Sequence, residues 1–465
     1  MKSNIEKINN IKLKLKEHHY PDEVLLVLNK IISKGYEAYL VGGAVRDIIL
    51  GNEIYDYDIT TNARPEEVIS LFDTVIETGI KHGTVTIVIN KLDIEVSTYR
   101  KDGEYKDFRR PETIEYSKTI AEDLKRRDFT INALAYNPIN NDFIDLFNGI
   151  NDLENKLINA INNPVDRFNE DALRMMRAVR FAVKLDFNIK EDVFDAIKTL
   201  NKNIKNVSIE RVNDEFTKVL LSKAPSRGIR LLEKSKLLQH FIPELVKCMG
   251  VKQNKYHIHD VYEHILHAVD NSKNDLIVRL SVLFHDIAKP KTRRMIHGNV
   301  TFYNHEVIGS DVVEEILKRL KYPNNIVKVV KHLVRNHMFN YTSEWKDSTI
   351  RRFINKVGVE SLDYLLDIRI ADASAGNPDY KDTLYLEFFD KMKEMVKNKD
   401  IFTIKDLAIT GEDVMNKLNI KPSKAIGEIL KKALLFVMED PKNNEKEILL
   451  NYIGDLRLRE PQALV

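Results

Sequence analysis

The pattern of apolar and polar positions changes once along this chain. In the first third, short β-rich runs at 38–41, 57–60, 85–89, 94–98 and 143–145 are separated by turn residues, which is the pattern of strands. Asn90-Lys91 falls between the third and fourth runs, where a two-residue link would close a hairpin. Beyond about residue 150 the apolar positions recur at helical spacing almost everywhere. The pattern predicts an α+β protein: a small mixed-sheet head at 22–150, an elongated all-α neck at 151–248, a further helical domain at 249–400 and a helical tail at 401–465. The boundaries follow breaks at Asn162-Asn163-Pro164, at 249–255 and at 398–403.

Composition adds limits. At 465 residues the chain exceeds what one core fills, so several domains are expected. Hydrophobic residues make up 43% and charged residues 31%, an ordinary balance for a soluble protein. The net charge of +2 gives no global attraction to nucleic acid, so such binding would have to come from local basic surfaces. The single cysteine, Cys248, excludes an intrachain disulfide and fits a reducing compartment. No apolar run approaches the ~20 residues of a membrane span, and the charged first 17 residues lack a signal-peptide core. A cytoplasmic protein without membrane attachment is expected.

The densest chemistry lies in the head. Residues 38–41 run into Gly42-Gly43, a short helix follows, and Gly51 is placed to end it. Glycines at a helix N-terminus let backbone N–H groups approach an anion. Asp56-Tyr57-Asp58 comes next, with both carboxylates on one strand face. Two such carboxylates repel unless cations sit between them, and Mg²⁺ suits oxygen ligands. An anion cradle beside a carboxylate pair is what phosphoryl or nucleotidyl transfer requires. Further on, Asp93 and Glu95 share a strand face, and Glu95, mid-strand, is the better candidate for a third carboxylate.

Two basic clusters follow. Lys125-Arg126-Arg127, just before Asp128-Phe129-Thr130-Ile131-Asn132, offers contacts for a triphosphate. From Ala172 to Val183 the chain is apolar nearly all round, the mark of a buried helix. Arg174, Arg177 and Arg180 interrupt it and Asp171 precedes it. Buried arginines are costly unless paired or given a ligand. Side chains three apart on a helix are neighbours, so Asp171 could accept from an exocyclic amine while Arg174 donates to the adjacent ring acceptor. Cytosine and adenine present that edge; guanine and uracil do not. Taken singly, each cluster also fits a solvated turn or an intrahelical salt bridge. Their conjunction points to nucleotide chemistry.

The ordered motifs are Gly42-Gly43-x-x-Arg46-Asp47, Asp56-x-Asp58, Gly79-Ile80-Lys81-His82-Gly83-Thr84, Ile94-Glu95-Val96-Ser97-Thr98, Arg126-Arg127-Asp128-Phe129-Thr130, Glu170-Asp171-x-x-Arg174 and Arg177-x-x-Arg180-Phe181. This set resembles the class II tRNA nucleotidyltransferases, the CCA-adding enzymes, which share a fold with bacterial poly(A) polymerases. The resemblance implies a template-independent enzyme adding CCA to tRNA 3′ ends from CTP and ATP. Asp56 and Asp58 would hold Mg²⁺, with Glu95 as a third catalytic carboxylate. Gly43, Arg46 and Arg127 would bind the triphosphate. Asp171 and Arg174 would read the base, supported by Arg177 and Arg180. Residues 101–117, with Arg109-Arg110-Pro111, look like the family's flexible loop, which is altered in enzymes adding only CC. Bacterial poly(A) polymerases usually carry a Gly-Arg-Arg-Phe-type element where this chain has Gly79-Ile80-Lys81-His82-Gly83, and they tend to end in a basic tail. This chain has neither, which favours CCA addition.

Asp260-Val261-Tyr262-Glu263-His264, Leu283-Phe284-His285-Asp286-Ile287-Ala288-Lys289-Pro290 and Arg369-Ile370-Ala371-Asp372-Ala373 resemble the ligand stretches of HD-family phosphohydrolases. That implies a second, transition-metal site at His264, His285, Asp286 and Asp372, to which His305 and His337 could add ligands. Imidazole and carboxylate together suit Mn, Fe, Co, Ni or Zn. The substrate would be a 2′,3′-cyclic phosphate or a 3′ phosphate at a damaged tRNA end. Lys421-Pro422-Ser423-Lys424-Ala425-Ile426-Gly427 resembles the family's tail, where a helix N-terminus grips the tRNA elbow. The rival readings are a partial CC- or A-adding enzyme, a poly(A) polymerase, or a phosphohydrolase whose head only binds RNA.

Overall fold

The computed structural model describes residues 2–77, 79–102, 114–253, 258–339, 341–376, 383–398, 400 and 402–459. The chain divides into two compact units, Met1–Pro243 and Glu244–Val465.

The first unit is built on a seven-stranded mixed sheet. Its strands are β1 (Ala38–Val41), β2 (Asp58–Thr61), β3 (Val75–Ile76), β4 (Thr84–Ile89), β5 (Leu92–Thr98), β6 (Leu134–Asn137) and β7 (Asp142–Asp145), in the order β3-β4-β5-β2-β1-β6-β7. β2 and β5 run parallel and the other neighbours antiparallel. Five of these strands lie where the alternation predicts them, starting within two residues of the expected positions. Asn90 and Lys91 close the β4–β5 hairpin at φ 49° and 70°, the two positive angles that match the strand twist. The sequence pattern missed β3 and β6.

Helix α1 (Gly43–Leu50) follows β1 and ends at Gly51, which adopts φ 73° as a left-handed cap. Downstream, α2 (Pro164–Glu170) leads to α3 (Leu173–Leu185), which packs against α4 (Ile209–Leu220). Asn163 caps α2 by accepting a 2.9 Å bond from Val165 N–H. Met175, Met176, Val179 and Ala182 of α3 are fully buried, as its apolar composition predicts.

The second unit is helical. It contains α5 (Val261–Asn271), α6 (Leu276–Phe284), α7 (His305–Arg319), α8 (Asn324–Asn336) and α9 (Leu362–Gly376). α6 is the central element: its residues from Val278 to Phe284 are all buried, against α5, α8 and α9. Aspartates start two of these helices. Asp260 accepts from Glu263 N–H at 2.8 Å, and Asp275 from Ile277 and Val278 N–H at 2.9 and 3.0 Å. In the tail, α10 (Lys424–Glu439) packs into an apolar cluster with Val414, Leu418, Leu449 and Ile453. Helix is not universal beyond residue 150: Leu157–Ile158 pairs with Asn188–Ile189, and Arg294–Ile296 with Asn299–Thr301. Among the described residues no helix is long and apolar enough to cross a membrane. The loop residues Arg109-Arg110-Pro111 lie outside the described residues.

Candidate active site and candidate metal centre

Gly42 precedes α1 at φ 68°. A Cβ there would stand 3.2 Å from Arg127 Nη1, so both the backbone angle and the neighbour call for glycine. A cavity of about 550 Å³ opens beside this turn. Gly43, Arg46, Asp56, Asp58, Arg127, Asp171, Arg174, Arg177 and Arg180 all line it. Glu95 does not, although it stands beside Asp58 in the parallel β2–β5 register. Eight cationic side chains in the lining face four carboxylates, so the cavity favours anions.

β2 begins at Asp58, so Asp56 lies just before the strand rather than on it. Burial, then Glu95 and Asp56, push the Asp58 carboxyl up to about 6, with Arg127 opposing. Such crowding of carboxylates fits a hard cation such as Mg²⁺, which would relieve it.

The arginines are held by protein acceptors. Buried Arg46 makes two bonds to Asp47, at 2.9 and 2.7 Å, and one to Asn132 at 2.5 Å. Arg127 reaches Asp123 at 3.3 Å. Arg177 donates Nε to Asp128 at 2.8 Å, and Arg180 donates Nε to Glu215 at 2.6 Å. Burial would raise the Asp128 carboxyl, but Arg177 and Asn132 outweigh it and hold the group at about 2. Arg46, Arg177 and Arg180 all lie over the Phe181 ring, at 5.3, 5.2 and 4.1 Å from its centroid.

Asp171 and Arg174 do not form the expected side-by-side helical pair. α3 starts two residues after Asp171, which sits in the turn between α2 and α3. Asp171 Oδ1 accepts from Leu173 N–H at 3.0 Å, and Oδ2 accepts from Arg211 of α4 at 2.9 Å. Arg174 donates instead to Glu170 and to the Arg126 carbonyl, each at 2.7 Å. Both residues face one cavity from separate supports. The supports themselves, Glu170, Arg211 and Glu215, were missed as site residues. Glu215 carried a signal: it lies among Val212, Phe216 and Val219 on the buried side of α4, where a carboxylate needs a partner. Arg211, one turn earlier, shares that side.

In the second unit, five helices bring His264, His285, Asp286 and Asp372 together, with His305 and His337 beside them. His264 Nε2 lies 2.9 Å from Asp372 Oδ1. His285 Nε2 is 3.2 Å from Asp286 Oδ2, and His305 Nε2 is 3.3 Å from Asp286 Oδ1. His285, His305 and His337 each direct Nδ1 to the carbonyl three residues earlier, at 2.7, 2.9 and 2.7 Å. That contact makes Nδ1 the donor and turns Nε2 inward as a lone-pair ligand. The three Nε2 atoms are buried: those of His285 and His305 face Asp286 oxygens, and that of His337 has no hydrogen-bond partner among the described residues, an arrangement that fits metal coordination. Burial, with His285 and His305 nearby, pushes His337 down to about 3, so it stays neutral. Burial opposes charge on His285 too, but Asp286 and Asp372 hold it up at about 10, a proton that a bound cation would replace. Lys289 Nζ lies 2.6 Å from Asp286 Oδ2. A cavity of about 530 Å³ opens on this centre.

Three family descriptions match segments of the chain: Poly A polymerase head domain at 38–159, RNA and SrmB-binding site of polymerase A at 186–249, and tRNA nucleotidyltransferase domain 2 at 303–453. The chain is 35% identical over 437 residues to the CCA-adding enzyme of Ligilactobacillus salivarius, covering 92% of this chain and 96% of that one. It is 32% identical over 443 residues to the CCA-adding enzyme of Enterococcus faecalis, covering 95% and 97%. The crystal structure of the Bacillus stearothermophilus CCA-adding enzyme in complex with CTP is similar with a TM-score of 0.72 at 26% identity, covering 95% of this chain and 100% of that one. The Thermotoga maritima CCA-adding enzyme complexed with tRNA shares the fold, with a TM-score of 0.58 at 21% identity, covering 95% and 98%.

Proposed function

The chain belongs to the CCA-adding enzymes, a family of tRNA nucleotidyltransferases, and we propose that it adds all of C, C and A to tRNA 3′ ends from CTP and ATP. The observation that carries this reading is the convergence of a carboxylate pair, an arginine set and two base-edge groups on one cavity of about 550 Å³, a size that suits a nucleotide. The CTP and tRNA complexes of the two bacterial relatives support those ligands.

Asp56 and Asp58, with Glu95 beside Asp58, would hold Mg²⁺. That ion would supply positive charge to favour the ionised 3′ hydroxyl and to offset the charge on the departing pyrophosphate. The Gly43 N–H and the donors that Arg46 and Arg127 keep free of Asp47, Asn132 and Asp123 take the triphosphate. Arg177 and Arg180, already oriented by Asp128 and Glu215, line the nucleotide without reorganising. Asp171 accepts from the amine of cytosine or adenine, and Arg174 donates to the neighbouring acceptor. The head at 22–150 and the neck at 151–248 share this work. The tail at 401–465 offers exposed Lys421 and Lys424 at the start of α10 to tRNA phosphates. With tRNA as substrate, the enzyme acts in the cytoplasm.

A second activity is favoured by the buried imidazole nitrogens that converge with the Asp286 and Asp372 carboxylates in the second unit. His264, His285, Asp286 and Asp372 would hold a transition metal there. Lys289 and Arg369, both lining the 530 Å³ cavity, would attract a 3′ or 2′,3′-cyclic phosphate. An incorporation assay on tRNA lacking its 3′ end tests the main reading. Incorporation of CTP and ATP is expected; phosphate release without incorporation would reduce the head to an RNA-binding module.

A further inference from the structure

Asp56 and Asp58 are held in different ways. Asp58 stands in the strand ladder, opposite Val41 of β1 and Glu95 of β5. Asp56 lies two residues ahead of that ladder, on a stretch after Gly51 that has no regular secondary structure. Between Gly51 and Asp58, Tyr57 is the one buried side chain; the others are exposed or half-buried. Asp56 and Asp58 line the 550 Å³ cavity and Tyr57 does not. The Tyr57 ring is therefore the anchor of the stretch that carries Asp56.

The anchor's partner comes from much earlier in the chain. The Tyr57 hydroxyl and His18 Nε2 form a 3.1 Å hydrogen bond. His18 follows the helix Lys2–Glu17, and its ring packs edge-on against Tyr20 at 4.7 Å. Tyr20 is buried, donates its hydroxyl to the Leu15 carbonyl at 2.7 Å and stacks at 6.4 Å on Tyr136 of β6. From the same helix, Lys14 Nζ donates to the Ile49 carbonyl at 3.3 Å, in the last turn of α1. One N-terminal helix thus touches both the helix that starts at the anion cradle and the segment that carries Asp56. It precedes residues 38–159, the part matched by the head-domain description.

We propose that His18 and Tyr57 are positioning residues for nucleotide addition: their hydrogen bond fixes the stretch before β2 so that Asp56 meets the same ion as Asp58. The inference rests on the reading of these aspartates as Mg²⁺ ligands and adds the residues that aim one of them. An apolar ring at position 57 would fill the same space; the hydroxyl adds a fixed direction. Groups that orient a metal ligand are typically worth about 10- to 100-fold in metal affinity or rate.

The test uses the full chain carrying His285→Ala and Asp286→Ala, so that added Mn²⁺ reports on the head. In this background Tyr57→Phe keeps the ring and loses only the hydroxyl. It is expected to melt within roughly 3 °C of its parent. It should lose about 10-fold in kcat for CTP addition and in Mn²⁺ affinity, read from the free-ion electron paramagnetic resonance signal. KM for CTP should stay within about twofold, because the triphosphate and base contacts are untouched. His18→Ala is expected to do the same, and the double variant no more than the worse single one, since both break one bond. His18→Gln, whose amide keeps a hydrogen-bonding group for Tyr57, should recover most of the rate, and none when Tyr57→Phe is also present. Parental rate and Mn²⁺ affinity in Tyr57→Phe, or losses that multiply in the double variant, would overturn the tether and leave the ligand reading standing. Asp56→Ala is expected to lose more than Tyr57→Phe on both readouts; parental behaviour there would overturn the ligand reading and the tether together.

Discussion

The two cavities have nearly the same volume, about 550 and 530 Å³, yet their buried polar groups are satisfied in opposite ways. In the first unit each arginine that interrupts α3 has a protein acceptor: Glu170 for Arg174, Asp128 for Arg177 and Glu215 for Arg180. The charges are fixed before any ligand arrives, and the excess of cations is left for one that comes and goes. In the second unit three imidazole nitrogens are turned inward by their own backbone contacts, two of them onto the Asp286 carboxylate and that of His337 onto no hydrogen-bond partner among the described residues. On the proposed reading a resident ion would complete that centre, which would make the ion part of the fold. On this reading the preset site should tolerate loss of Asp56 and Asp58, whereas a site closed by an ion should not tolerate loss of its ligands.

The contrast breaks down first, if it is wrong, at the carboxylate pair. Changing Asp56 and Asp58 together to Ala is expected to cut CTP incorporation about 10³-fold or more. The folded Asp58 pKa is raised to about 6 from 3.8, so its ionised form destabilises the metal-free protein above that pH. The melting temperature of the metal-free variant at pH 7.5, a chosen assay pH well above the Asp58 value, should therefore hold or rise. Sustained incorporation, or collapse of the fold, would contradict the account.

The opposite response is expected from His285→Ala with Asp286→Ala. Bound transition metal and phosphate release should vanish and the melting temperature should fall. CTP addition, in a unit with its own cavity, should stay within about threefold of the parent. Loss of CTP addition in a variant that remains folded would show that the two centres are coupled.

Smaller effects sharpen the picture of the first cavity. Asp171→Ala should lower discrimination against UTP and GTP by ~1–3 kcal/mol, roughly 5- to 150-fold, with triphosphate affinity less affected. A variant that rejects both nucleotides as well as the parent would remove Asp171 from base reading. The mildest expectation concerns pH. If Asp58 holds Mg²⁺, protons compete with the ion there, because burial, Glu95 and Asp56 push its carboxyl up to about 6. The Mg²⁺ concentration for half-maximal rate should be flat above pH 7 and rise up to about tenfold per unit below pH 6. A flat profile down to pH 5 would detach Asp58 from the metal.

Much of this was legible in the sequence, for identifiable reasons. Local chemistry came through: the positive-φ glycine turn, the Asn90-Lys91 hairpin and the alternation of β5 are each written in a few adjacent residues. β6 was missed because Leu134, Ala135, Tyr136 and Asn137 are all buried, so no alternation marks them as a strand. The base-edge geometry was misjudged because helical spacing was extended back to Asp171, where the backbone has already left the helix. The pairing of Arg211 with Asp171 spans 40 residues, and no local pattern encodes such a partner. Glu215 is the intermediate case: its apolar neighbours flagged it, but not which arginine it would meet.

The central claim, complete CCA addition at the first cavity, is tested most directly by mapping products on three tRNAs ending before the first C, before the second C and before the terminal A. With CTP alone, the first should gain two nucleotides, the second one and the third none. With ATP alone, only the third should be extended, by one. With both, all three should finish at a single A and stop. A stop after CC in the presence of ATP, an A on the third substrate without C on the others, or a growing run of A would each contradict the account.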